Sequence, residues 1–249
     1  MSLLEIRGLS KTFGGLKALD GIDLSVEQGS IHGLMGANGA GKTTLFSIVA
    51  GNLKPTSGEV RFDGHRIDRQ RPDQICRAGI ARTFQIVRPF PELTARENVE
   101  TAILFGRAER PSGRALRVLA ESLLAECGLA DQTEQRAATL TLAARKRLEV
   151  ARALGTGPRL LMLDEVMAGL TPTEVQEMIS ALLALRTRLG LTILIIEHVM
   201  SALNRISDVI TVLHHGQRIA HGTPEAIAAD PMVLDAYFGA DDDIAEDRE

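Results

Sequence analysis

Short apolar runs of strand length alternate with longer amphipathic stretches along most of the chain. Residues 3–7 and 21–26 read as strands, with turns at Gly14-Gly15 and Gln28-Gly29. Residues 30–35 form a buried run that feeds a glycine-rich loop, and a helix over 43–50 follows and stops at Gly51. Residues 53–58 read as a turn, 59–62 as a strand, and Asp63-Gly64 as a turn into a short strand through Ile67. A short helix over 71–77 and a buried strand over 80–84 come next. The pattern changes at Arg88-Pro89-Phe90-Pro91, where two prolines mark a loop. Thr94-Ala95-Arg96-Glu97 is a capping box, and the periodicity is helical from there to about Leu154. Residues 114–127 put Leu116, Leu119, Leu123 and Leu124 on one face, and 145–154 read as a further helix. The region 88–155 is therefore expected to be a helical lobe inserted into an α/β body.

Alternation resumes beyond it. Residues 159–163 are an apolar strand. Thr171-Pro172-Thr173-Glu174 combines an N-cap, a proline at the first helical position and a capping-box glutamate, starting a helix that ends at Gly190. Strands over 191–196, 209–213 and 218–221 and helices over 200–206 and 224–229 complete the chain. Strands alternating with helices imply a largely parallel sheet. The 249 residues have room for one large domain or two small ones.

Composition narrows the classes. Removing the six acids and one arginine of residues 240–249 leaves 27 basic against 26 acidic residues, so the body is near neutral. That acidic end is expected to be a solvated, disordered tail. Without a basic excess and with only 3% aromatics, nucleic acid is not expected as the main partner. Cys76 and Cys127 lack metal-ligand spacing and imply a reducing compartment. The N-terminus shows no signal peptide, and no apolar run approaches membrane-spanning length, so the chain is not expected to cross a bilayer by itself.

The chemistry begins at Gly36-Ala37-Asn38-Gly39-Ala40-Gly41-Lys42-Thr43-Thr44, which fits the phosphate-binding pattern G-x-x-x-x-G-K-[ST]. Gly36, Gly39 and Gly41 let the backbone turn and approach an anion, so that the loop's N–H groups face phosphate oxygens. Lys42 supplies charge for the β- and γ-phosphates, Thr43 a hydroxyl for Mg²⁺, and the following helix its positive N-terminus. Residues 160–165 are an apolar strand ending in Asp164 and Glu165. Asp164 is suited to hold Mg²⁺, and Glu165 to polarise the water that attacks the γ-phosphate.

Taken with Gln85, the helix 145–154 and Ile196-Glu197-His198, these motifs resemble the ATP-binding subunit of an ABC transporter from about residue 3 to 239. Gly79-Ile80-Ala81-Arg82-Thr83-Phe84-Gln85, Phe90-Pro91-Glu92-Leu93-Thr94 and the segment from Gly222-Thr223-Pro224-Glu225 to Gly239 are most similar to the ATPases of branched-chain, or hydrophobic, amino acid importers. The resemblance implies a phosphate-loop (RecA-like) NTPase core, an antiparallel β subdomain near the N-terminus and the helical insertion. It further implies Mg-ATP hydrolysis driving a membrane permease from the cytoplasmic face of the inner membrane. Phe13 would stack on adenine, or is a core phenylalanine. Gln85 would touch Mg²⁺ or the attacking water, and His198 the γ-phosphate. His214, His215 and His221 are read as surface or packing residues.

The departures carry information. The family's Leu-Ser-Gly-Gly-Gln signature falls on Leu140-Thr141-Leu142-Ala143-Ala144, which keeps a hydroxyl at Thr141 and loses both glycines and the glutamine. Family ATPases sandwich ATP between the phosphate loop of one subunit and the signature of another. The expected partner is therefore a second, different ATPase in preference to a copy of this chain, beside the permease subunits and, indirectly, an extracytoplasmic solute-binding protein. Val166 replaces a proline, and Thr171 replaces an Asn or Asp between the sites. The alternatives are an ABC exporter or lipid-extraction ATPase, a soluble ABC ATPase of translation or DNA repair, and a non-ABC phosphate-loop GTPase or kinase. The last lacks support in an Asn-Lys-x-Asp motif. The transported solute leaves no trace in these residues.

Overall fold

The computed structural model describes residues 1–84, 88–107 and 109–238, with residues 237 and 238 described by backbone alone. In chain order it contains β1 (Ser2–Phe13), β2 (Leu16–Glu27), β3 (Ile31–Met35), α1 (Lys42–Val49), β4 (Ser57–Phe62), β5 (His65–Arg66), α2 (Pro72–Ala78) and β6 (Ile80–Arg82). Then come α3 (Ala95–Gly106), α4 (Gly113–Glu126), α5 (Leu142–Gly155), β7 (Leu160–Asp164) and α6 (Pro172–Leu189). The chain ends in β8 (Thr192–Ile196), α7 (Met200–Ile206), β9 (Val209–His214), β10 (Gln217–Gly222), α8 (Pro224–Ala228) and α9 (Pro231–Phe238). It divides into two compact units, one of Met1–Arg69 with Leu194–Glu249 and one of Gln70–Ile193.

In the first unit, β1 is paired antiparallel on both edges, with β2 and with β4, and β5 extends the sheet beyond β4. Alternation directs Leu4, Ile6, Leu19, Ile22, Leu24 and Val26 inward, all essentially buried. The β4–β5 hairpin closes through Asp63 and Gly64 at φ 51° and 75°, as a two-residue turn that needs two left-handed residues requires. The β9–β10 hairpin closes the same way through His215 and Gly216. β9 runs parallel to β3, and every residue of β3 is buried.

The burial of β3 includes a polar side chain, His32, 2% exposed. Its Nε2 shares a hydrogen bond of 2.8 Å with Thr211 Oγ1, which lies 2.9 Å from His221 Nδ1. Burial, then the neighbouring His221, pushes the His32 ring down to about 4, while a hydrogen bond to the Ser25 backbone acts the other way.

In the second unit, β6 runs parallel to β7, and α3 packs on both α4 and α5. A Cβ at Gly155 would stand 3.2 Å from Ala102 Cβ and 3.3 Å from Val99 O, so α3 and α5 meet there nearly backbone to backbone. The capping boxes expected at Thr94 and Thr171 both form. The region expected as a helical lobe holds α3, α4, α5 and two single 3₁₀ turns.

The leucine face expected on α4 forms, with Ala120, Leu123 and Leu124 buried and Leu116 and Leu119 half-buried at its start. Other readings are corrected. The strand read as 80–84 ends at Arg82, although Thr83 N still donates to Met162 O. α5 starts at Leu142 rather than Arg145, because Thr141 caps it. α9 was not expected, its eight residues being too short for a clear period. The acidic residues 240–249 lie outside the described residues.

The His32 shift predicts a pH dependence of stability. The unfolded ring takes a proton near its ordinary 6.5, while the folded one resists until about 4. Stability therefore holds above pH 6.5 and declines as pH falls from 6.5 to 4, by roughly 3 kcal/mol for this ring. Urea unfolding between pH 7.5 and 4.5 should show that decline, and His32→Gln should flatten it.

Candidate active site

The phosphate loop lies in the first unit. β3 delivers the chain to Gly36, whose φ is 154° and whose hypothetical Cβ would sit 2.4 Å from Leu213 O. Gly41, at φ 104°, is approached as closely, with Ala18 O at 2.6 Å. Both positions exclude a side chain, so the glycines answer to the protein's own backbone as well as to any anion. The β9–β10 hairpin reinforces the loop: Gly216 N donates to Ala40 O, and Asp20 N donates to Gly216 O.

α1 begins at Lys42 with no side-chain cap and no acid in its first turn. The positive end of its dipole therefore faces the loop with no capping side chain or acid against it. Lys42 is 6% exposed; its ammonium donates to Gly36 O and, at 2.9 Å, to Ala37 O. Asn38, Gly39 and Thr43 are exposed, Thr44 is half-buried and Ala40 is buried.

Phe13 ends β1 and is 44% exposed, with the Lys11 ammonium 4.9 Å from its ring centre. This removes the core reading and leaves a ring open to a ligand. His198, at the end of β8, is exposed and follows the buried Glu197. His214 and His215 stack edge to face at 4.1 Å.

The carboxylates lie in the second unit. Every residue of β7 is buried, and Asp164 and Glu165 at its end are 3% and 9% exposed. Asp164 is held from two sides. Its N–H donates to Thr83 Oγ1 at 3.1 Å, and its Oδ2 accepts from Arg82 Nη2 at 2.8 Å, an ion pair buried at both ends. The Arg82 guanidinium also stands 5.4 Å from the centre of the Phe84 ring. Glu165 adopts φ 53°, a left-handed conformation rare for a residue with a Cβ.

α5 reaches this region with one ridge of charged residues. Lys146, buried, donates to Glu165 O at 2.8 Å. Glu149 accepts from Phe84 N at 2.9 Å, and burial pushes its carboxyl pKa up. Arg152 donates to Arg88 O at 2.8 Å and stands 5.2 Å from the Phe90 ring centre. At the start of the helix, Thr141 Oγ1 accepts from Ala144 N at 3.2 Å, so the cap survives the loss of the signature glycines. Thr141 and Leu142 are both exposed there. Gln85 lies outside the described residues.

Arg82, Thr83, Lys146, Glu149 and Gly216 were not singled out by sequence reasoning. Arg145-Lys146-Arg147 reads as a solvated basic face, and nothing in the triplet marks the middle residue as the inward one.

Comparison with known proteins fixes the class. A family model described as ABC transporter matches residues 19–168, more than half of the chain. The chain belongs to the ABC transporter family, as an ATP-binding, ATP-hydrolysing member. It is 41% identical to the high-affinity branched-chain amino acid transport ATP-binding protein BraF of Pseudomonas aeruginosa, over 95% of this chain and 98% of BraF. It is 39% identical to LivG of Escherichia coli K12, which carries the same description, over 95% and 98%. The ADP conformation of MJ1267, an ATP-binding cassette of an ABC transporter, superposes with a TM-score of 0.88 at 32% identity, covering 96% of this chain and 99% of that one. The fold is thus the α/β phosphate-loop cassette with its antiparallel β part and helical insertion. A second model, described as branched-chain amino acid ATP-binding cassette transporter, matches residues 217–243.

The buried ion pair makes a prediction independent of nucleotide. Arg82→Met takes the guanidinium from a carboxylate that stays buried, and should cost about 3–5 kcal/mol of unfolding free energy in urea. Adding Asp164→Asn should restore part of that loss. Additive losses would show that the two side chains are not energetically coupled.

Proposed function

We propose that this chain is the ATPase subunit of an importer for branched-chain or other hydrophobic amino acids, acting on the cytoplasmic face of the inner membrane with permease subunits. The carrying observation is the match of residues 217–243 to the branched-chain family model, supported by relatives of that description along the whole chain. Among the described residues no helix is long and apolar enough to cross a membrane.

The roles are those the family resemblance implies for these residues. Gly36, Asn38, Gly39, Ala40 and Gly41 present the loop's backbone N–H groups to the phosphates, with Thr44 in the first turn of α1. Lys42 exchanges the carbonyls of Gly36 and Ala37 for phosphate oxygens. Phe13 stacks on the adenine. Thr43 and Asp164 offer a hydroxyl and a carboxylate, hard oxygen donors that fit Mg²⁺ as it is bound beside nucleotide phosphates. Mg²⁺, when bound, neutralises charge that develops on the phosphates. Among the described residues no set of three His, Cys, Asp or Glu side chains could hold a metal by itself. Glu165 takes the proton of the attacking water. His198 donates to the γ-phosphate, and Gln85 contacts the ion or the water.

Dimerisation completes the reading. The site formed on this chain's phosphate loop uses the intact signature of a different ATPase subunit. The reciprocal site, built on Thr141, is slow, since losing one preorganised donor to the reacting oxyanion costs about 10²–10³ in rate.

Two measurements test this. Tagged in its host and extracted in mild detergent, the chain should bring down two multi-span permeases and a second ATPase with an intact signature. Recovery with ribosomes or repair proteins, and no permease, would sink the transport reading. In the recovered complex, Glu165→Gln should lower turnover by about 10²–10⁴ with little change in nucleotide affinity. Near-native turnover would remove Glu165 from the role of base.

A further inference from the structure

We infer that Lys146 is a positioning residue for Glu165, holding the base in its aim from helix α5. The inference rests on the reading of Glu165 as the base. The first observation is backbone conformation. Glu165 is one of three described non-glycine residues with positive φ, and the other two, Asp63 and His215, sit in two-residue hairpin turns. Glu165 sits at the buried end of a strand, where no such turn demands it. A left-handed residue with a long side chain persists only where its surroundings hold it.

The second observation is what holds it. The Glu165 carbonyl accepts from the Ala168 N–H at 3.3 Å and from the Lys146 ammonium at 2.8 Å. The lysine bond is the shorter and is charge-assisted. It also comes from a rigid helix rather than from the same turn. An ammonium 5% exposed is costly to bury, and it is placed here on a backbone oxygen. Lys146 is flanked by Arg147, which pairs outward with Glu177, and by the half-buried Arg145, so local charge does not explain why the middle residue turns inward.

The geometry has a consequence for chemistry. Fixing the direction of the Glu165 carbonyl fixes its ψ, and with it the plane from which the Cα–Cβ bond departs. Further upstream, the Asp164 N–H, on the peptide before the one that enters Glu165, is fixed by Thr83. Of the two peptides that flank the base, the following one is pinned by Lys146. A displacement of about 1 Å at a reacting group costs up to ~10² in rate.

A double-mutant cycle on the full chain, assembled with the subunits that co-purify with it, tests the inference. Lys146→Met keeps the length and removes the donor. It should lower kcat by about ten- to a hundredfold with KM and Mg-ATP affinity within twofold, and Lys146→Arg should recover most of the loss. In a Glu165→Gln background, Lys146→Met should lower the residual single-turnover rate by less than twofold, because the group it positions is already disabled. Equal losses in both backgrounds, native turnover in Lys146→Met, or failure of both Lys146→Met and Lys146→Gln to fold would overturn the inference and leave Lys146 a structural residue. If the native complex itself does not hydrolyse ATP, or Glu165→Gln is fully active, the functional reading fails instead.

Discussion

The phosphate loop depends on two carbonyl oxygens of the protein's own backbone. Leu213 O and Ala18 O occupy the positions that side chains at Gly36 and Gly41 would need. β9 and β2 supply them, so the loop's shape is set by strands distant in sequence before any anion arrives. The Gly216 N–H on Ala40 O ties the same loop to the β9–β10 turn. A phosphate cradle of backbone N–H groups is useful only if the backbone does not relax around each ligand, and here its freedom is removed by close packing rather than by side-chain bonds. This explains why α1 can begin without a cap: the donors a cap would consume remain available.

Much of this was legible from the chain because local chemistry and global fold agree. The loop glycines, Lys42, the apolar run into Asp164-Glu165 and the capping boxes at Thr94 and Thr171 are short-range signals, and each forms the element it implies. Thr141 was legible for the same reason, as a hydroxyl four residues before Arg145 that caps α5 without the signature glycines. The core alternative for Phe13 fell only to its exposure in the fold, since a phenylalanine at a strand end carries no sign of which way it faces.

What was not legible is the long-range wiring around the carboxylates. Arg82 reads as one of many arginines, yet it is buried against Asp164 across 82 residues of sequence. The Lys146 and Glu149 side chains obey helical spacing that equally suits a solvated face. They point inward because β7 and the end of β6 offer backbone groups in need of partners. Such pairings are set by tertiary context, which a single sequence does not encode locally.

The ridge Lys146, Glu149, Arg152 has one more implication. These residues are spaced three apart on one helix and grip three backbone groups: Glu165 O, Phe84 N and Arg88 O. A helix is stiff over this length, so its register against the three groups is not adjusted one bond at a time. A slide or roll of α5 carries all three anchor points with it, and the candidate base and the two ends of the stretch that contains Gln85 share a single mechanical coordinate. Thr141, at the leading end of that helix, is then a handle on the coordinate.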